Sequence, residues 1–131
     1  MPPPSPSRAA SASARHDPSR RPLSLPVLHI LLALAEGDRH GYAIKQEVER
    51  RTGGVIRLGP GTLYEAIQRL EDSGLIAEAA AGAPPADGQE AQRRYYRLTD
   101  RGFDTLRHEV RELARLVDAA RANPRLRKGL A

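Results

Sequence analysis

The chain has 131 residues, 40% of them hydrophobic and only 4% aromatic, which suits a single domain with a modest aliphatic core and tails. With no cysteine anywhere, disulfides, thiolate metal sites and cysteine nucleophiles are excluded. The net charge of +5 is uneven: residues 1–22 carry four arginines against one aspartate and residues 100–131 eight basic against five acidic groups, whereas residues 23–99 carry nine against ten. Bulk basicity therefore makes no case for nucleic acid, and local placement has to make it.

Residues 1–22 are Pro, Ser, Ala and Arg in low-complexity order and read as a disordered basic tail, in which Arg8, Arg15, Arg20 and Arg21 either lie along phosphates or are simply solvated. No apolar run approaches the ~20 residues of a membrane span, and no signal-type segment follows the first arginines, so a cytoplasmic location is expected. At Leu23 the composition changes abruptly. Ser24 as cap, Pro26 in the first turn and Gly37 as terminator frame a helix that is apolar nearly all round, hence buried at the centre of the fold or partly against a second subunit. His29 within it reads as a core or interface histidine, because no second metal ligand stands near it in the sequence.

A second helix is expected from Asp38 to Thr52, closed by Gly53 and Gly54, with Ile44 and Val48 buried and Glu47 paired to Arg51 at the surface. His40, Tyr42, Lys45 and Gln46 gather toward its N-terminus, where backbone N–H groups already favour an anion, so they suit either a phosphate contact or a solvated helix start. A short extended piece, Val55 to Leu58, leads to the stretch Gly59 to Ile76. There Pro60 opens a helix, Gly74 ends it, and Leu63, Ile67 and Leu70 form one buried stripe. The opposite side carries Gly61, Glu65, Gln68 and Asp72, flanked by Thr62, Tyr64 and Arg69. Alone, this is also the pattern of an ordinary surface helix. Following a phosphate-suited helix across a glycine-containing connection, it takes the reading position of a helix-turn-helix lengthened at its turn.

After Gly74 the period switches. Leu75 to Ala80 and Arg93 to Leu98 are β-prone segments around a Gly-, Pro- and acid-rich loop, with Tyr96 and Leu98 facing in. This is the layout of a wing, or of a plain two-stranded cover. Asp87 and Glu90 oppose phosphate contact at its tip, which leaves Arg93, Arg94 and Arg97 at its base. A long helix from Thr99 to before Asn123 then places Phe103, Leu106, Val110, Leu113, Val117 and Ala120 on a heptad seam that could fold back on its own domain but, since the first helix has limited surface to offer, is better suited to pairing with a second copy, and residues 124–131 read as a frayed basic end. The divisions are a tail (1–22), a winged helix-turn-helix domain (23–99), a dimerisation helix (100–123) and the basic end, in a mainly α fold with a small β-hairpin.

Three groups of residues, in this order and spacing, resemble the PadR-type transcriptional regulators of the compact subgroup with one C-terminal helix. They are His40-Gly41-Tyr42-Ala43-Ile44; Gly61-Thr62-Leu63-Tyr64 continuing to Arg69-Leu70 and Gly74-Leu75-Ile76; and Tyr95-Tyr96-Arg97-Leu98-Thr99 with Gly102. The resemblance covers about Leu23 to Ala122 and implies a homodimeric winged helix-turn-helix repressor whose third helix enters the major groove and whose C-terminal helices pair. It further implies that Thr62, Tyr64 and Arg69, with Tyr42 and Lys45, lie against DNA. From side-chain chemistry, Gln68 suits adenine and Arg69 guanine, while Glu65 either accepts from cytosine or, as favoured here, restrains Arg69 through an i,i+4 pair. A small apolar effector bordering the first helix and the seam is the expected means of release. The alternative is a winged-helix adaptor that contacts protein, in keeping with the slightly acidic residues 23–99. An enzyme is not expected, since there is no phosphate-binding glycine loop, no nucleophile with a base at sensible spacing, and the four histidines are scattered; no cofactor or metal is called for.

Overall fold

A computed structural model of the chain describes residues 22–80 and 94–130. In chain order the elements are α1 (Leu25–Ala35), β1 (Arg39–His40), α2 (Gly41–Arg51), α3 (Pro60–Asp72), β2 (Ile76–Ala79), β3 (Tyr95–Leu98), α4 (Asp100–Arg121) and α5 (Pro124–Arg127). The tail before Pro22 and the wing loop with Asp87, Glu90 and Arg93 lie outside the described residues.

The helix ends follow local chemistry. Ser24 Oγ accepts the Val27 amide at the start of α1, and Pro26 occupies the first turn, where its missing N–H is not needed. At the end of α2 the Gly54 N–H bonds Glu49 O and the Gly53 N–H bonds Arg50 O; at the end of α3 Leu75 N–H bonds Leu70 O and Gly74 N–H bonds Glu71 O. Both are Schellman closures, and Gly53 (φ 60°) and Gly74 (φ 79°) take the left-handed conformation these require. In the piece from Val55 to Leu58, Val55 and Ile56 form a bend and Arg57 and Leu58 take no regular secondary structure.

Two expectations are corrected. The second helix does not start at Asp38: Arg39 and His40 form β1, antiparallel to β3 in the register Arg39↔Tyr96 and His40↔Tyr95, so the sheet has three strands in the order β1-β3-β2. The extended His40 instead caps α2, its Nδ1 accepting the Ala43 N–H at 3.2 Å. The basic end does not simply fray after Pro124, because Asn123 caps the short α5 by accepting the Arg125 N–H at 2.9 Å.

One apolar cluster joins all parts of the domain: Ile30, Leu31 and Leu34 from α1, Ile44 and Val48 from α2, the expected stripe of α3, Leu75 and Ile76, Tyr96 and Leu98, and Leu106. Between α1 and α2 lies an ion-pair chain, in which Arg51 meets both Glu36 and Glu47 at 2.8 Å, Arg50 also binds Glu47, and Arg39 binds Glu36 at 3.1 Å. The expected Glu47–Arg51 pair is thus one link of a larger network.

The start of α4 is fixed to the end of α3. Thr99 Oγ1 accepts the Gly102 N–H at 3.0 Å and donates to Gly74 O at 2.6 Å, and the Thr99 N–H donates to Leu75 O at 3.1 Å. A methyl group on Gly102 would stand 2.1 Å from Leu75 O and 2.6 Å from Leu98 Cδ1. Leu106 is buried on the same side, and Glu109 Oε1 accepts the Leu23 N–H at 2.7 Å, so the first two turns of α4 lie on their own domain. From Val110 to Ala119 every residue is exposed.

Gly102→Ala is expected to lower the unfolding free energy by about 1–3 kcal/mol, the usual cost of forcing atoms into a packed interior; a urea midpoint and slope equal to wild type would refute the tight joint. The Glu47 carboxyl, bonded first by Arg50 and then by Arg51, is lowered from 4.5 to about 2. A depressed carboxyl stabilises the fold above its unfolded value and stops doing so as pH falls through the folded one. The melting-temperature gap between wild type and Glu47→Gln should therefore hold above pH 4.5 and close on descent toward pH 2; a gap independent of pH would show that ionisation is not the source.

Candidate nucleic-acid interface

Helix α3 divides into a dry back and a wet front. Leu63, Ile67 and Leu70 are buried, whereas Gly61, Thr62, Tyr64, Glu65, Gln68, Arg69 and Asp72 are all exposed. Nothing lies within 4 Å of where a Gly61 side chain would begin, so the first turn offers a bare backbone surface. The expected Glu65–Arg69 pair does not form among the described residues. The i,i+4 link on this face is instead Gln68 Nε2 to Asp72 Oδ1 at 3.1 Å. Arg69 is exposed, and its planar guanidinium is of the kind suited to two acceptors on one base edge.

Beside the first turn of α3 stands the N-terminus of α2. Tyr42 and Gln46 are exposed, and the Lys45 ammonium lies 5.9 Å from the Tyr42 ring centroid while bonding Glu49 at 2.5 Å. His40 is brought to the same edge, but as a joint: its Nδ1 caps α2 and its ring meets Tyr95 edge-on at 5.5 Å. On β3 the expected alternation holds, with Tyr96 and Leu98 buried and Arg97 exposed; Arg94, just before the strand, is exposed as well. Burial, followed by the nearby Glu71 charge, pushes the Tyr96 phenol up, in keeping with its place in the core. Arg93 falls outside the described residues.

Of the residues expected at the site, those at the N-terminus of α2 stand beside the first turn of α3, where Tyr64 meets Gly41, and Arg94 and Arg97 are exposed at β3. Two neighbouring side chains were not foreseen. Glu49 neutralises Lys45, a link visible in the sequence as an i,i+4 pair. Arg57 adds an exposed guanidinium to the connection between α2 and α3, placed by its Nε–H bond to Gly54 O at 3.1 Å; its signal was a lone arginine in an otherwise apolar run. Among the described residues no group of three or more His, Asp or Glu could hold a metal ion, and no helix is long and apolar enough to cross a membrane. The Nδ1 of His29 is buried without a partner.

The seam of α4 splits. Leu106 is buried in its own domain, which corrects its expected place in an intermolecular contact, while Phe103, Val110, Leu113 and Val117 are exposed and Ala120 is half-buried. Leu116, 64% exposed, widens the apolar stripe, and Leu25 and Leu32 of α1 are also open.

The family model described as "Transcriptional regulator PadR-like family" matches residues 30–108. A transcriptional regulator of Mycobacterium tuberculosis is 39% identical over 93 residues, covering 69% of this chain and 79% of that protein. An uncharacterised 37.1 kDa protein in a Streptomyces fradiae transposon is 39% identical over 87 residues, which are 66% of this chain but only 22% of that protein. Among solved structures, a PadR family transcription regulator of Clostridium difficile superposes with a TM-score of 0.60 at 27% identity, covering 76% of this chain and 96% of that one. With a winged helix that lies inside the matched span, the chain belongs to the PadR-like family of transcriptional regulators.

Proposed function

We propose that the chain is a homodimeric, sequence-specific DNA-binding repressor, released from its operator by a small apolar ligand. The observation that carries the DNA-binding reading is the front of α3, seven exposed residues opposite a three-residue buried stripe, with Tyr42, Lys45 and Gln46 beside its first turn. On this reading two copies of α3 address pseudo-palindromic half-sites about one helical turn, ~34 Å, apart. Tyr42, Lys45, Arg93, Arg94 and Arg97 set register through phosphates, Arg69 reads guanine, and Gln68 reads adenine once it releases Asp72.

Support for the homodimer comes from the exposed stripe Phe103, Val110, Leu113, Leu116 and Val117, a contiguous apolar surface of the kind that marks an interface. The effector reading rests on Leu25 and Leu32 of α1, which leave further apolar surface open in the same domain. A second reading, a winged-helix adaptor that contacts protein, draws support from α2, where Lys45, Arg50 and Arg51 all meet carboxylates of the chain itself.

A selection from random duplexes should enrich a palindrome; no enrichment together with a stoichiometric protein partner would favour the adaptor. On the selected site Arg69→Ala should lose ~1–3 kcal/mol and relax sequence preference, whereas Lys45→Ala should weaken all sequences alike and reduce the salt slope by about 1. Equal losses for both variants on every sequence would remove that division of roles. Leu113→Glu should sediment as a monomer and lose operator affinity with it, and a variant that still sediments as a dimer would take the α4 seam out of the interface.

A further inference from the structure

We propose that Tyr64 serves DNA recognition as a positioning residue: its phenol seats on Gly41 and stops α3 from rolling against α2. The inference deepens the DNA-binding reading and rests on it. A methyl group placed on Gly41 would stand 2.6 Å from Tyr64 Oη and 3.0 Å from both Cε1 and Cζ, so the phenol occupies the space a side chain would need. Gly41 is buried and does not have a positive φ. Its backbone conformation is therefore open to any residue, and what the position requires is room.

Gly41 is also a fixed point. It is the first residue of α2, directly after the His40 cap and the β1 pairs Arg39↔Tyr96 and His40↔Tyr95, which tie that backbone to the sheet. Helix α3 has no strand pairing at its own start: Gly59 provides no side-chain cap, the approach from α2 runs through Gly53 and Gly54, both in left-handed conformations, and only the buried Leu58 just before Gly59 pins it to the core. The buried stripe of Leu63, Ile67 and Leu70 is narrow, so rotation about the helix axis is the motion it restrains least. Tyr64 lies about 100° round the helix from Leu63, off the stripe and on the side of α2. A rigid aromatic placed there blocks the roll that would swing Gln68 and Arg69 away from the base edges, and binding constellations need holding to about 10–20°.

The test uses the full chain and the duplex recovered by selection with wild-type protein. Gly41→Ala, Tyr64→Phe, Tyr64→Ala and the double variant G41A/Y64A are compared by operator titration and thermal melting, and the free proteins by the nuclear Overhauser effect between Gly41 Hα and the Tyr64 ring protons. Wild type should give that effect. Tyr64→Phe, which keeps the ring, should bind within about two-fold of wild type, whereas Tyr64→Ala and Gly41→Ala should each lose about ten-fold or more while still melting cooperatively. The double variant should lose no more than Tyr64→Ala alone, since a lock already removed cannot be broken again. If Gly41→Ala fails to fold, the contrast between Tyr64→Phe and Tyr64→Ala decides. A Tyr64→Phe loss equal to that of Tyr64→Ala would show that the ring alone does not hold α3 and overturn the proposal, as would additive losses or a missing Overhauser effect. Wild-type protein that selects no duplex yet keeps the effect would fail the DNA reading itself, and the positioning role with it.

Discussion

The backbone of Gly102 lies so close to the Leu75 carbonyl that an added methyl would come within 2.1 Å of its oxygen, and the Thr99 amide bonds the same carbonyl at 3.1 Å. Leu75 is the residue at which the closure of α3 is completed, by its own N–H bond to Leu70 O. One short segment therefore ends α3, leads into β2 and receives the long α4. Contacts between backbones have little slack, because no side-chain rotamer can absorb a displacement. A change in the direction of α4 would therefore be passed to the C-terminal end of α3 rather than lost between them.

The cations of α2 are engaged within the chain: Lys45 with Glu49, and Arg50 and Arg51 with Glu47. Surface pairs of this kind contribute little to stability, ~0–1 kcal/mol each, but they reduce the positive potential that an approaching phosphate backbone meets. With residues 23–99 slightly acidic, a DNA complex would gain less from counterion release than a strongly basic winged helix does. Discrimination would then fall on Gln68, Arg69 and the precision with which α3 is held. That is why a contact as small as Tyr64 on Gly41 matters.

What the sequence discloses and what it withholds divide along the range of the interactions. Pro60, Gly74, the stripe of α3 and the cap at Ser24 act within a turn or two, and each is found where periodicity and capping rules put it. Strand β1 is only two residues long and exists because Tyr95 and Tyr96 pair with it from more than fifty residues away, so no local signal could separate it from the helix that follows. The heptad of α4 is read correctly as a stripe, but its spacing does not say where the domain ends, and Leu106 proves to be core. On α3 two i,i+4 pairs compete, and spacing alone could not choose Gln68–Asp72 over Glu65–Arg69.

Beyond Glu109 the α4 helix leaves its domain, and about three turns continue with every residue from Val110 to Ala119 in water. Isolated helices of such length are marginal, and local ion pairs such as Glu112–Arg115 add only a few tenths of a kcal/mol. The stripe of Val110, Leu113, Leu116 and Val117 can contribute far more, since burying a side chain of this type is worth ~1.5–3 kcal/mol. A second copy laid on that stripe would stabilise the helix and satisfy its apolar face in one step. Because the same helix is fixed to α3 at Thr99 and Gly102, the angle at which two copies cross would dictate the distance between their reading heads. Half-site spacing would then be a property of the α4 pairing, while α3 and its seat on α2 determine what each half-site must be.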